Sequence, residues 1–332
     1  MLNIAGSIGP AQIRTKDPDL STYAADWRED QDVYVARKAC SRVVTQSIDA
    51  SFPIFDRGTM MAQRAELIGN EGVAARAKSV IDRTHFRVKG WGFEDHIGEF
   101  TASQSMSTGL NPEDHSVEVC TEALNRRQEQ EYKNEALDDS VWDGVAVGRT
   151  AATDIALNPF DSANRGIQQV LQDDAEPIRD FQLMRTGFLK QTGYAPNVCI
   201  LGGDLAPVLF NHDNVIDRVN RGQTNGVAEI TEMQWSAAIR VANTYVMESV
   251  DVRGTFFFEK GFWLGYVNPN PGSDGVTAIS CFSYDAFRDG ADVSIDTRYS
   301  NDNMTSIVRG VNAYAFKVVS KDLGVFCENY VG

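Results

Sequence analysis

The hydrophobic and polar positions change their period along the chain, and each change predicts a different element. Short apolar groups between Tyr34 and Phe55, and again in HFRVKGWGFE after a long polar stretch, predict two strands that enclose a projecting hairpin. Val117, Cys120 and Leu124 then follow at spacings of three and four, which predicts a long helix from about 113 to 137.

Helices and strands alternate in the second half of the chain. A helix is expected to begin near Pro177, with Asp173 or Asp174 as its cap, and to end at Gly193. The apolar run NVCIL after it predicts a buried strand, and two more helical stretches, DLAPVLFNHDNVIDRVNRG and TEMQWSAAIRV, follow. TFFFEKGFWLGYV predicts a buried strand pair more readily than a platform for nucleic-acid bases, and GVAVG predicts a plain turn. The mixture indicates an α+β fold.

Composition is that of an ordinary folded protein, with 42% hydrophobic and 23% charged residues. No apolar stretch approaches the roughly 20 residues of a membrane span, and the opening MLNIAGSIGPAQ lacks the basic and apolar regions of a signal peptide. We therefore expect the chain to fold in a cytoplasm, without a membrane partner. The five cysteines are widely spaced and form no CxxC pair, which favours reduced and mostly buried thiols.

The formal net charge of −15 argues against a protein that holds nucleic acid by its phosphates, because such binding needs clustered Lys and Arg. A protein shell that encloses DNA is compatible with this charge, because the wall of the shell does not need to bind the DNA.

Two segments of opposite charge stand out. Residues 57–89 hold seven basic and three acidic side chains, a net charge of +4, and residues 113–139 hold nine acidic and three basic ones, a net charge of −6. Such charges would steer the loop of one subunit to the helix of the next. The alternative is a pair of solvated surfaces that matter only for solubility. The residues predicted to make the contact are Arg57, Arg64, Arg76, Lys78 and Arg83 on the loop, and Glu118, Glu122 and Glu129 on the helix.

Candidate catalytic and metal-binding groups are scarce. The four histidines are scattered and show no paired spacing for a metal, and no nucleophile elbow or phosphate-binding glycine loop occurs. Asp95, His96 and Glu99 are close in sequence, but neighbouring side chains on a strand point to opposite faces. Capping by Asp213 or Asn214 accounts for the NHDN segment around His212 better than metal binding does. No catalytic residue, cofactor or metal is predicted.

The order of elements resembles the major capsid proteins of tailed bacteriophages over most of the chain. YVARKACSRVV followed by FPIFDRG resembles the family's entry to its extended loop, and KDLGVF resembles its closing segment, although Val319 and Ser320 replace the usual Ala-Pro. Residues 192–222 carry the family's TG-x-x-PN turn, its buried strand and its nHpdvidri segment. The matching positions are Thr192, Gly193, Pro196, Asn197, His212, Asp213, Val215, Ile216, Asp217 and Arg218.

The resemblance implies the capsid fold and its division into domains. The implied boundaries are an N-terminal arm at 1–45, an extended loop at 46–93, a peripheral domain at 94–165 with a spine helix at about 113–137, an axial domain at 166–281, and C-terminal strands of the peripheral domain at 282–332.

The implied function is structural and not enzymatic. Many copies would form hexamers and pentamers of an icosahedral phage head, which encloses double-stranded DNA without binding it specifically. A separate scaffold protein, a portal and decoration proteins are expected partners, with assembly in the host bacterial cytoplasm and final location in the virion. An encapsulin-type compartment that stores a cargo enzyme is the main alternative, and a cytosolic α/β enzyme is a remote one.

Overall fold

The chain folds into fifteen described strands and six described α-helices. A computed structural model describes residues 15–16, 24, 33–56, 82–108, 111–149, 159–161, 166–172, 175–220, 230–251, 253–270, 275–284, 293–301 and 303–331. The strands are β1 (Thr15–Lys16), β2 (Ser41–Thr45), β3 (Asp49–Ile54), β4 (Asp82–Arg87), β5 (Lys89–Gly98), β6 (Gly144–Val145), β7 (Val147–Arg149), β8 (Gly166–Gln168), β9 (Val198–Gly202), β10 (Asn243–Met247), β11 (Phe262–Gly265), β12 (Ile279–Tyr284), β13 (Ser294–Ser300), β14 (Thr305–Val318) and β15 (Gly324–Cys327).

The helices are α1 (Glu99–Thr108), α2 (Pro112–Ala136), α3 (Pro177–Thr192), α4 (Leu205–Phe210), α5 (Asp213–Asn220) and α6 (Glu232–Ile239). Short 3-10 turns lie at Asp139–Val141 and Lys321–Leu323.

The predicted long helix is found as α2, one residue earlier at each end than expected. Pro112 occupies the first turn, where its missing N–H costs nothing. Asn111 caps the helix, since its Oδ1 accepts a hydrogen bond from the Glu113 N–H at 3.2 Å.

The chain divides into two compact units, the first formed by 1–32, 88–127 and 284–314 and the second by 33–87, 128–283 and 315–332. Helix α2 and strand β14 each contribute residues to both units. The predicted boundaries of arm, loop, peripheral domain and axial domain stay predictions.

Unit 1 is built on antiparallel strands, in which β13 and β5 both pair with β14 and β1 pairs with β13. One face of these strands is apolar, and its core cluster comprises Ala24, Ile97, Val117, Leu124, Val293, Ile295 and Val308. Gly310 permits the close approach of α2, because a Cβ there would lie 3.1 Å from Leu124 and 3.3 Å from Cys120.

The other face of the unit 1 strands carries a row of charges. Asp296, Arg309 and Glu94 are cross-strand neighbours, so their side chains share a face. Glu94 accepts ion pairs from Arg309 at 3.6 Å and from Arg298 at 3.5 Å. The side chains of these pairs are 26–50% exposed, so the pairs contribute little to stability.

Unit 2 contains a five-stranded sheet in the order β10-β9-β11-β15-β6. Strand β9, the predicted NVCIL strand, is buried along its whole length, as are β11 and β15. Helix α3 packs on this sheet, with the Phe181 ring 4.6 Å from the Phe262 ring and 5.3 Å from that of Trp235. The large aromatic area removed from water here is the main source of stability.

The predicted start of α3 and the predicted turn at GVAVG need correction. The residue at the N-cap is Glu176, with Pro177 at the first position, instead of Asp173 or Asp174, which lie outside the described residues. The predicted stop holds, because Gly193 adopts a left-handed conformation with φ 76° and its N–H donates to the Leu189 carbonyl at 2.9 Å. GVAVG is no plain turn, since it forms the short strands β6 and β7.

The aromatic run TFFFEKGFWLGYV is a strand only at β11, which corrects the predicted strand pair. Residues before β11 close over the end of β9, where the Gly202 N–H donates to the Gly261 carbonyl and the Gly203 N–H to that of Phe258, both at 2.9 Å. A Cβ on Gly202 would lie 2.1 Å from the Glu259 carbonyl oxygen, so this closure requires glycine.

Within the described ranges, no helix combines the length and the apolar character that a membrane crossing requires. The five cysteines are free thiols and all are buried, which confirms the prediction from their spacing.

Candidate inter-subunit surfaces

The predicted hairpin is present at its base, where β3 and β4 pair antiparallel over six residues, from Asp49 opposite Arg87 to Ile54 opposite Asp82. Aromatic contacts hold the inner side of this base. The Phe86 ring stacks on the Phe282 ring with 4.0 Å between the ring centroids, and the Phe52 centroid lies 5.4 Å from that of Phe282. On the other side Asp49, Ser51, Arg83, His85 and Arg87 are exposed, whereas Pro53 is buried. The base is therefore fastened by its aromatic side, and most positions of its other side are open to solvent.

Most of the basic residues predicted on this loop lie in the part of the chain that the structure does not describe. Arg57, Arg64, Arg76 and Lys78 lie outside the described residues, while Arg83 is an exposed residue of β4, opposite Pro53. Close by, Arg87 forms an exposed ion pair with Asp49 at 3.8 Å.

Glu118 and Glu122 lie on α2 with their side chains partly exposed, at 35% and 39%. Glu118 lies 3.9 Å from the Nδ1 of His115, and Glu122 forms an ion pair with Arg126 one turn further on. Pairs of this kind at helical spacing contribute only a few tenths of a kcal/mol. Both carboxylates remain accessible to an approaching basic segment.

Glu129 has a different role from its two neighbours on α2. Its side chain is buried, and its Oε1 accepts a hydrogen bond of 2.7 Å from the Ala36 N–H. Tyr132, one turn further along, donates from its hydroxyl to the Ala39 carbonyl at 3.4 Å. Together they hold the turn at 33–40 against the helix. Glu129 therefore serves the fold of its own chain, and we leave it out of the contact proposed below.

Several large apolar side chains are exposed at positions that no sequence pattern marks. Phe100 on α1 is 91% exposed, and Met233 on α6 is 82% exposed. Near the hairpin, Val44, Ile48 and Ile54 are each more than a third exposed. Single exposed apolar residues are common, but a phenylalanine left almost entirely in water is a candidate contact for another molecule.

Of the residues considered for chemistry, Asp95 makes a structural contact, since the Ser116 hydroxyl donates to its Oδ2 at 2.6 Å. At Glu99 the backbone N–H donates to the Met304 carbonyl at 3.2 Å. His212 itself accepts at Nδ1 from the Asn214 N–H, at 3.2 Å, so His212 is the capping group and not Asp213 or Asn214. Among the described residues, no group of three or more His, Cys, Asp or Glu could hold a metal ion.

The sequence matches no family model and no curated protein. The structure is similar to several solved ones. A phage-related protein from Bordetella bronchiseptica RB50 matches with a TM-score of 0.70 at 18% identity, over 96% of this chain and 98% of the other. The capsid of Myoviridae phage XM1 matches with a TM-score of 0.51 at 11% identity, over 89% of this chain and 92% of the other.

The chain has the fold of the tailed-phage major capsid proteins. A virus-like particle from Pyrococcus furiosus shares this capsid fold, with a TM-score of 0.52 at 10% identity, over 93% of this chain and 98% of the other. The β3–β4 pair lies within residues 46–93, the range predicted as the extended loop, and α2 nearly coincides with the range predicted as the spine helix, 113–137; the roles of loop and spine stay predictions. Identities of 10–18% show the fold alone.

Proposed function

We propose that this chain is the major capsid protein of a tailed phage, a structural protein that assembles into hexamers and pentamers of an icosahedral head around double-stranded DNA. The observation that carries the proposal is the extent of the capsid fold, which runs through 89–96% of the chain in the comparisons with the XM1 capsid and the Bordetella protein. We assign no catalytic role, cofactor or metal.

The exposed surfaces support self-association. Most outward positions of the hairpin are exposed, and Val44, Ile48 and Ile54 are 37–53% exposed and Phe100 91% exposed. Obligate interfaces bury about 2,000 Å² or more and are rich in such apolar positions. Contacts that are weak singly become sufficient in a closed shell, because each subunit meets several neighbours at once.

We further propose that the basic loop of one subunit lies over the first half of α2 of a neighbour. The loop residues are Arg57, Arg64, Arg76, Lys78 and Arg83, and the acceptors are Glu118 and Glu122. Glu118 and Glu122 are partly exposed, as charged residues at the rim of an interface are. Charge pairs at the rim affect the choice of partner and the association rate more than the affinity.

The first experiment asks whether the chain forms shells. The full chain is expressed with and without its neighbouring genes, and particles are examined by sizing chromatography and negative-stain microscopy. Closed megadalton shells are expected. A chain that stays a small soluble oligomer under both conditions would contradict the proposed function and would favour the remote enzyme alternative.

A second experiment addresses the loop contact. The double substitution Arg76→Glu with Lys78→Glu should reduce shell yield by more than tenfold while the circular dichroism spectrum stays unchanged, because two attractions become repulsions. Adding Glu118→Lys with Glu122→Lys should restore shells. The matched control, Arg253→Glu with Lys260→Glu, makes the same charge change at two exposed positions of another loop. Equal loss of shells in the control, or no rescue, would remove the proposed contact.

A compartment filled with protein is the second candidate, since the similarity to a virus-like particle (TM-score 0.52) and to a phage capsid (TM-score 0.51) shows one fold and does not separate the two functions. The contents of purified particles separate the two functions. Double-stranded DNA supports the phage head, and a co-purified cargo enzyme supports the compartment. For the phage head, we propose a separate scaffold protein, a portal and decoration proteins as partners, assembly in the host cytoplasm, and final location in the virion.

A further inference from the structure

One end of the unit 1 strands carries exposed apolar side chains. The last backbone pairs of β5, β13 and β14 meet at Thr305, which lies opposite both Gly98 and Ser300. Three side chains within two residues of these pairs form what we call the end patch: Phe100, which is 91% exposed, Met304, which is 61% exposed, and Tyr299, which is 56% exposed.

The backbone holds the members of the end patch close together. The Glu99 N–H donates to the Met304 carbonyl at 3.2 Å, and Phe100 follows Glu99 in the first turn of α1. Tyr299 lies opposite Ser306, two residues beyond Met304. The three side chains therefore start from neighbouring backbone positions of the same unit.

Met304 has a backbone conformation that a methionine rarely adopts. Its φ of 48° lies in the left-handed region, where glycine or asparagine is usual. The Cβ of an L residue crowds the following carbonyl in this region, so Met304 lowers the stability of its own chain. Its exposed side chain does not offset this cost by burial. Backbone strain of this kind is concentrated at functional positions, which makes Met304 a candidate for one.

The end patch has the size of a partial interface. A fully exposed aromatic side chain presents about 150–250 Å², so Phe100 and Tyr299 together leave roughly 200–400 Å² of mainly apolar surface in water. Patches of about 300–600 Å² on a single chain are often functional. A standard interface buries about 800 Å² on each partner. The end patch is therefore too small to hold two molecules together alone, and it suits one contact among several.

The charges beside the end patch favour a second copy of this chain as the occupant. Glu99, next to Phe100, is exposed, and the side chain of Arg298, next to Tyr299, is 50% exposed. Arg298 pairs with Glu94 of its own chain at 3.5 Å, but a surface pair of this kind contributes little. A surface with both signs at its rim is complementary to itself, because a two-fold axis can bring Arg298 of one copy to Glu99 of the other.

We propose that the end patch is an interaction surface that meets the same patch of a second copy across a two-fold axis. The inference rests on the proposed function, because a patch of this size acts together with the other contacts of a shell. Burial of Phe100, Tyr299 and Met304 against their equivalents offsets the strain at residue 304.

The first test is cross-linking through one introduced cysteine. The five native cysteines are buried, so a short bismaleimide should react mainly at the new thiol. Met304→Cys in particles of the full chain should give a covalent dimer on a reducing denaturing gel, because equivalent residues lie near the axis. Met233→Cys is the matched control, since Met233 is 82% exposed on α6 of unit 2, and it should give no dimer above the wild-type level.

A second test separates the stability of the chain from its association. Met304→Asn should raise the unfolding temperature of the unassembled chain by roughly 1–2 °C, because asparagine tolerates the left-handed region. The same variant should lower the shell yield, measured by sedimentation, by about fivefold, because an apolar contact is lost. Arg240→Asn is the matched control. Arg240 has a φ of 58°, so this variant relieves similar strain and should leave the shell yield unchanged.

The outcomes distinguish this inference from the proposed function. Shells without a Met304→Cys dimer, or with an equal dimer from Met233→Cys, would overturn the inference and leave the proposed function standing. A normal shell yield of Met304→Asn would also contradict the inference. If the wild-type chain builds no shells, the proposed function fails, and the same cross-linking of the soluble chain decides the inference. A dimer specific to Met304→Cys would then keep it, and no dimer would remove it.

Discussion

Two β structures of unit 2 differ in how much of their strands is exposed to solvent. Every residue of β9, β11 and β15 in the five-stranded sheet is buried. Among the residues of strands β3 and β4, only Phe52, Pro53 and Phe86 are buried. The strands of the five-stranded sheet are covered by their own chain, whereas the hairpin strands are covered mainly on their aromatic side. The difference separates residues that make the subunit stable from residues that remain available to a neighbour.

The largest effect is expected in the five-stranded sheet. Trp263→Ala removes a fully buried ring that packs 5.5 Å from that of Trp142. We expect the free energy of unfolding to fall by about 3–5 kcal/mol, since a large cavity is left. Urea unfolding measures this loss. A loss below about 1 kcal/mol would contradict the central role that we assign to this sheet.

A smaller effect is expected at the base of the hairpin. Phe86→Ala should lower the free energy of unfolding by about 2–4 kcal/mol, because the stack on Phe282 is lost from a site that can partly collapse. The same substitution at exposed Phe100 is the matched control and should change unfolding by less than about 0.5 kcal/mol. Both values come from urea titration. Equal effects at the two positions would show that the hairpin base is not packed as described.

The smallest effect on the isolated chain is expected on the outward face of the hairpin. Arg83→Glu should change the free energy of unfolding by less than about 0.5 kcal/mol, because its side chain is exposed. Shell yield, measured by sedimentation, should nevertheless fall. If Arg83→Glu lowered the free energy of unfolding by more than about 1 kcal/mol and left the shell yield normal, this face of the hairpin would serve stability and not assembly.

The sequence predicted α2, β9 and the end of α3 well, because each depends on a local signal. Proline, asparagine and spaced apolar residues set the start and the path of α2, and only Gly193 adopts the left-handed stop of α3 without strain. Thr231 and Gln234 form a capping box at α6, and the segment TEMQ carries this helix-start signal in the sequence.

The candidate surfaces were less predictable, since exposure depends on distant parts of the chain. In sequence Glu129 resembles Glu118 and Glu122, yet its side chain is buried and accepts a hydrogen bond from the N–H of Ala36, which is 93 residues away. Phe100 stands alone in a polar helix, where no periodicity marks it as exposed. The route of residues 258–261 over β9 likewise follows from contacts between distant segments.

Helix α2 has a mechanical consequence for the whole molecule. Its hydrogen bonds run without interruption from Pro112 to Ala136, although its two parts belong to different compact units. Melting either part would fray the other at its new end, because each exposed helix terminus leaves about four backbone groups unsatisfied. Unfolding the part of α2 in one unit should therefore also loosen the adjoining turn of the part in the other unit.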